Sequence, residues 1–199
     1  MELNRDKTAV LGLHWQSDVI SEKGPFGTLF AVEAEKNDVV RNTRELFTAA
    51  RAGGLPIIYT RIAFAPGYGD MVANSPLYHM VREAGAMVAG TPGTEIIDEL
   101  APQTGELVLT TTRVSGFANS SLDLLLRSRG IDTLLLTGVA TNITVEGTAR
   151  HASDLGYRVI VLSDCTSSDS PETHVAALNT LGVLTEVATS ADVIGALSG

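Results

Sequence analysis

Short, nearly continuous apolar runs alternate along this chain with stretches in which apolar residues recur every three or four positions. The first run, Thr8 to Leu13 (TAVLGL), has the unbroken apolar character of a strand covered on both faces. Gly24 to Gly27 reads as a loop. Beyond it Val39, Val40, Thr43, Leu46, Phe47 and Ala50 fall at helical spacing, with Asn37 or Asp38 as N-cap and Gly53-Gly54 closing the helix. Leu55 to Thr60 (LPIIYT) is the second strand. Arg61 to Gly93 carries Gly, Pro and aromatics (FAPGYGDM), with a weak helical signal from Leu77 to Ala84. Both a binding loop or lid and irregular packing under a sheet edge are open for it. Thr94 caps a short helix through Leu100, and Glu106 to Thr110 (ELVLT) is the third strand.

From there the rhythm is regular. Helix Ser121 to Arg129 leads through Gly130 to strand Thr133 to Leu136, and helix Asn142 to Leu155 leads through Gly156 to strand Arg158 to Leu162. Helix Pro171 to Leu181 leads through Gly182 to strand Val183 to Val187, and a last helix starts at Ala191. Glycine recurs just past helix ends, the punctuation of repeated βαβ units. The expected fold is α/β: a single doubly wound domain over residues 1–199, with a six-stranded parallel sheet flanked by helices on both faces. In such a sheet the residues after the strands share one edge. His14 to Asp18, Arg61 to Phe64, Thr111 to Phe117 and Gly138 to Thr144 are therefore expected to line one pocket.

Composition narrows the partners. At 199 residues and 44% hydrophobic, the chain needs no disulfide or metal staple, and its single cysteine, Cys165, has no internal partner. A formal charge of −9 with no basic cluster argues against nucleic acid. No apolar run approaches membrane-spanning length and the first residues, MELNRDKT, are charged, so a cytoplasmic protein is expected. The histidines His79, His151 and His174 lack ligand spacing, and neither a metal nor another cofactor is expected.

The segments AVLGLHWQSDV, RVSGFANSSLDLLLRSRGIDTLLLTGVATNITVEGTARHASDLGYRV and SDCTSSDSPETHVAAL resemble, in order, the isochorismatase-like or cysteine hydrolase superfamily. That family includes nicotinamidases, N-carbamoylsarcosine amidohydrolase and the isochorismatases. The resemblance implies a Rossmann-like six-stranded parallel sheet, a small-molecule substrate and a homodimer or homotetramer. It also implies that Gly138, Val139 and Ala140 form a turn that often holds a non-proline cis peptide and aims N–H groups at an oxyanion.

Amidase members of the family carry an Asp after the first strand, a Lys after the third and a nucleophilic Cys at the start of the helix after the fourth. Aligned on Gln16 and Asp18, on Ser115 and Phe117, and on TGVATNI, those positions hold His14, Thr111 and Thr144. A threonine hydroxyl stays protonated and needs a base, so the usual thiolate mechanism is not expected. Cys165, after the fifth strand, is expected to be a small buried residue rather than a replacement nucleophile. Isochorismatases cleave a vinyl ether without a Cys nucleophile by protonating carbon, and Arg113 falls where their RYSAF-like segment has an Arg; pairing with a substrate carboxylate or a structural salt bridge is expected of it.

The catalytic candidates are thus His14, Thr144 and Thr111, and the substrate-binding candidates Arg113, Trp15, Phe64, Phe117, Val139, Ala140 and Thr141. Gln16 and Asp18 are expected to anchor the loop after the first strand. Three uses of His14 stay open: general acid on an acid-labile ether, base for Thr144 or for a water, or no catalysis. The leading expectation is a Cys-less hydrolase or lyase acting on a small acidic or cyclic metabolite, as in secondary metabolism. The other is a degenerate member that binds a small molecule or a partner without turnover.

Overall fold

The computed structural model describes residues 2–198 and shows one parallel sheet in the order β3-β2-β1-β4-β5-β6. Its strands are β1 (Thr8–Leu13), β2 (Ile57–Ile62), β3 (Leu107–Thr111), β4 (Thr133–Val139), β5 (Arg158–Ser167) and β6 (Glu186–Ala188). The chain winds outward from β1 through β2 to β3, then returns to place β4 on the other side of β1. Val10 accordingly pairs in register with both Ile57 and Leu135. The reversal between β1 and β4 is the switch point at which such sheets open a crevice.

Both central strands are buried along their whole length, which is why they read as unbroken apolar runs. Alternate residues feed two cores. Val10, Leu135 and Ile160 face Leu46, Phe47 and Ala50 of α3 (Val39–Ala52) and Val193 and Leu197 of α8 (Ser190–Ser198). Leu11, Leu134 and Val159 face Leu122 and Leu126 of α5 (Leu122–Ser128), Ala149 and Ala152 of α6 (Glu146–Asp154) and Leu181 of α7 (Pro171–Leu181).

The structure corrects the sequence reading in several places. A helix, α2 (Gly27–Lys36), begins at the end of the Gly24 to Gly27 loop and fills residues to which the sequence pattern assigned no element. Its buried stripe is Gly27, Ala31 and Ala34, while Leu29 is 43% and Val32 52% exposed, so its larger apolar residues lie off the core face. A single helical turn, α1 (Ser17–Ile20), precedes it. The helix expected from Thr94 to Leu100 is two 3₁₀ turns, Pro92–Thr94 and Asp98–Leu100. Between them the chain is extended, because the Glu95 carbonyl accepts from Ser17 N–H and the Ile97 N–H donates to the Trp15 carbonyl. The weak helical signal near Leu77 is α4 (Pro76–Glu83). β4 and β5 run on past Leu136 and Leu162, and β6 starts later than expected because Thr185 N–H still bonds to the Leu181 carbonyl of α7. Asp38 precedes α3 in a left-handed conformation without a side-chain cap.

Candidate active site

The site begins where β1 stops. His14 takes a left-handed φ of 57°, a region where histidine is enriched relative to most side chains, and its N–H donates to the Thr60 carbonyl. Gln16 fixes the segment from below: its amide donates to the Ile62 carbonyl at 2.7 Å and its carbonyl accepts from the Ile62 N–H at 2.7 Å. Asp18 accepts from the Met87 N–H at 2.6 Å. Gln16 and Asp18 are anchors, as their positions in the sequence suggest.

Opposite His14, β4 ends in a cis peptide bond between Val139 and Ala140. The chain then makes a π turn over Thr141–Val145, in which the Val145 N–H reaches the Ala140 carbonyl, before α6 begins. Such widened turns recur at functional sites. It puts the Thr144 hydroxyl 3.5 Å from His14 Nε2 and 2.8 Å from the Val114 carbonyl.

A carbonyl only accepts, so the Thr144 proton goes to Val114 and the hydroxyl's lone pairs are left to receive Nε2–H. This order, His14 to Thr144 to Val114, selects the tautomer with its lone pair on Nδ1. Among the described residues Nδ1 has no hydrogen-bond partner, yet it is not among the sealed, unpartnered polar atoms. His14 is 5% exposed, and burial lowers its pKa from 6.5 to about 4. The imidazole is neutral near pH 7.

His14 and Thr144 lie on the wall of a cavity of about 220 Å³. Val139, Ala140 and Ile143 continue that wall, and Ile62, Phe64 and Val114 come from the ends of neighbouring strands. α2 and the residue before it contribute Phe26, Leu29 and Phe30, while α4 contributes Leu77, Tyr78, Met80 and Val81. Besides His14 and Thr144, polar atoms come from Tyr78, Asn142 and Asp169, and Asp169 is the one charged residue.

The family model of the isochorismatase domain matches residues 8–192. The chain belongs to the isochorismatase family. It is 38% identical over 146 residues to the ureidoacrylate amidohydrolase RutB of Pseudomonas syringae pv. syringae (strain B728a), covering 67% of this chain and 60% of that protein. To the RutB of Stutzerimonas stutzeri (strain A1501) it is 33% identical over 184 residues, covering 86% of this chain and 74% of that one. The crystal structure of a cysteine hydrolase from Pseudomonas syringae pv. phaseolicola 1448A superposes with a TM-score of 0.90 at 28% identity, over 100% of this chain and 95% of that chain.

Within this isochorismatase-family fold, His14, Thr144, Phe64, Val139 and Ala140 line the cavity, whereas the other candidates do not. Thr111 donates its hydroxyl to the Arg113 carbonyl at 2.7 Å and braces the turn after β3. Arg113 donates to the Asn74 side chain at 3.1 Å and lies 5.1 Å from the centre of the Tyr78 ring. Trp15 is fully buried and donates to the Thr137 hydroxyl, which itself donates to the Leu11 carbonyl. Phe117 belongs to the core on the other face of the sheet, beside Tyr157 and His151. The Thr141 hydroxyl pairs with His174 Nδ1 at 2.8 Å.

His151 is half-buried, its Nδ1 paired with the Ser115 hydroxyl. Cys165 is fully buried within β5, where burial pushes its thiol pKa up. Among the described residues no three His, Cys, Asp or Glu side chains group as metal ligands, and no helix is long and apolar enough to cross a membrane.

Sequence reasoning missed the wall from α2, together with Asn142 and Asp169 as chemical groups. The α2 wall left no readable stripe. Asp169 had a signal: it follows β5, and the strand-end rule that found His14 extends to that strand as well.

Proposed function

We propose that this chain is a hydrolase that cleaves a small substrate carbonyl compound, of the amide type its RutB relatives are named for, using neutral His14 as base toward a bound water and no thiolate nucleophile. The observation that carries this reading is the His14 to Thr144 to Val114 order, which leaves the basic Nδ1 lone pair without a protein partner at an apolar cavity.

The other uses of His14 fit less well. A general acid must hold a proton to give, and a buried imidazole with a pKa of about 4 holds none near pH 7. A nucleophilic Thr144 must surrender its proton to His14, but that proton is bound to the Val114 carbonyl. The positions where the family's amidases carry Asp, Lys and Cys hold His14, Thr111 and Thr144 in this reading.

In the proposed step Nδ1 takes a proton from water as the water oxygen bonds to the carbonyl carbon. Collapse of the tetrahedral intermediate breaks the carbon–nitrogen bond, and the imidazolium returns the proton to the leaving nitrogen. Imidazolium is disfavoured in this dry setting, which drives that return.

The test is hydrolysis of a panel of small amides and ureides by the wild type and His14→Ala. Turnover that falls by about a hundredfold or more in His14→Ala supports the base role. Equal turnover by the two proteins overturns it. A second reading, binding without turnover, is favoured by the depressed basicity of His14 itself, and gains if ligands bind while no panel member is cleaved.

A further inference from the structure

The cavity wall is unusual in its charge. It carries a single ionised side chain, Asp169, which makes no hydrogen bond or ion pair with another described residue. No cation is among the lining residues: Arg113 bonds to Asn74 and lies over the Tyr78 ring, and burial keeps His14 neutral. The rest is mostly apolar, with polar groups from His14, Tyr78, Asn142 and Thr144, and with Phe26, Phe30 and Phe64 as aromatic surface. Phe64 and Tyr78 stand edge to face, their centroids 6.3 Å apart.

Aromatic faces carry negative potential and attract ammonium groups, most strongly where water is thinned out. A carboxylate entering the same space would meet Asp169 and find no cation to replace its hydration. The chain's charge of −9 acts in the same direction by drawing cations toward the molecule.

We infer that the site takes a small apolar ligand bearing a protonated amine, with the Asp169 carboxylate pairing to the ammonium at the rim and the aromatic side chains receiving the hydrocarbon. Asp169 is a specificity-determining residue here, selecting amines over acids. The inference names the ligand class of the site proposed above and rests on that placement of the site, but it does not require turnover there.

The experiment is calorimetric titration of the whole chain with three probes of one shape and different charge: 3-phenylpropylamine, 3-phenylpropanamide and 3-phenylpropanoate, at pH 7 and low salt. The amine is expected to bind about tenfold more tightly than the carboxylate, reflecting a rim ion pair for the amine and repulsion by Asp169 for the acid. In Asp169→Asn, an exposed position with no folding role visible in its contacts, that preference is expected to fall to about twofold. Raising the salt concentration is expected to weaken wild-type amine binding in parallel.

Equal binding of the three probes, a preference for the carboxylate, no binding of any probe, or an amine preference unchanged in Asp169→Asn would each overturn the inference. The amide-cleavage comparison of wild type with His14→Ala is read separately, so either proposal can fail alone.

Discussion

The imidazole of His14 and the hydroxyl of Thr144 stand 3.5 Å apart although 130 positions separate them in the chain. β1 and β4 are neighbours in the sheet with Leu13 paired to Gly138, so the residues that follow each strand emerge side by side. The pairing of strands therefore makes the pairing of side chains. Thr144 then sets the tautomer of His14 by giving its own proton to Val114.

Thr144→Val keeps the shape of the side chain and removes this constraint. A drop in kcat of about tenfold or more with little change in KM is expected, recovered by Thr144→Ser, whose hydroxyl can make the same two contacts. Steady-state kinetics on any amide the wild type cleaves would check this. Activity kept in Thr144→Val and lost in Thr144→Ser would show that the methyl group, rather than the hydroxyl, is what matters.

The depressed pKa of His14 has a consequence for stability. Between about pH 6.5 and about pH 4 the unfolded chain binds a proton at this residue and the folded chain does not. Stability from this group is thus complete above pH 6.5 and is lost as pH falls toward 4, about 3 kcal/mol in all. Urea unfolding at pH 7 and pH 4.5 should show a smaller difference for His14→Asn than for the wild type. Activity that depends on the neutral base should stay level from pH 8 down to about pH 5 and fall only nearer the folded pKa.

Gln16 gives both ends of its amide to the Ile62 peptide and is fully buried. Gln16→Leu leaves that peptide's N–H and carbonyl without this partner, and a loss of about 2–4 kcal/mol is expected. Chemical denaturation should give a lower midpoint with an unchanged slope.

Two glycines separate backbone need from simple occupancy. Gly138 has φ 143°, and a Cβ there would strike the backbone carbonyl of Leu13, next to His14. Gly138→Ala is expected to cost several kcal/mol, enough to lower the melting temperature by about 10 °C or abolish soluble protein. Gly147 lies inside α6, where a Cβ meets only Val114 Cγ1 at 3.6 Å. Gly147→Ala is expected to stabilise by up to about 1 kcal/mol. Thermal melts of the two variants side by side distinguish these effects.

Much of the fold was legible because parallel strands buried on both faces must be apolar without interruption, and TAVLGL and LLLTGV satisfy that locally. The meeting of His14 with Thr144 followed from the same periodicity plus the rule that strand ends converge. What escaped were features whose cause is distant in the chain. α2 buries small residues and exposes larger ones, so its stripe does not stand out by hydrophobicity. Trp15 and Phe117 are aromatics at strand ends, but only packing decides that one is sealed in the core and the other turned to the opposite face.

The sequence alone therefore determined the parallel sheet, its doubly wound class and the edge at which the site opens, since the strands and helices behind them are patterns within single segments, while the strand order came from the tertiary structure. Tertiary structure alone decided the character of the site. The neutrality of His14 comes from burial by segments far along the chain, and Arg113 is held by Asn74 and the Tyr78 ring, neither of them near it in sequence. Charge and direction are set by neighbours brought together in space, and no local pattern encodes which neighbours those will be.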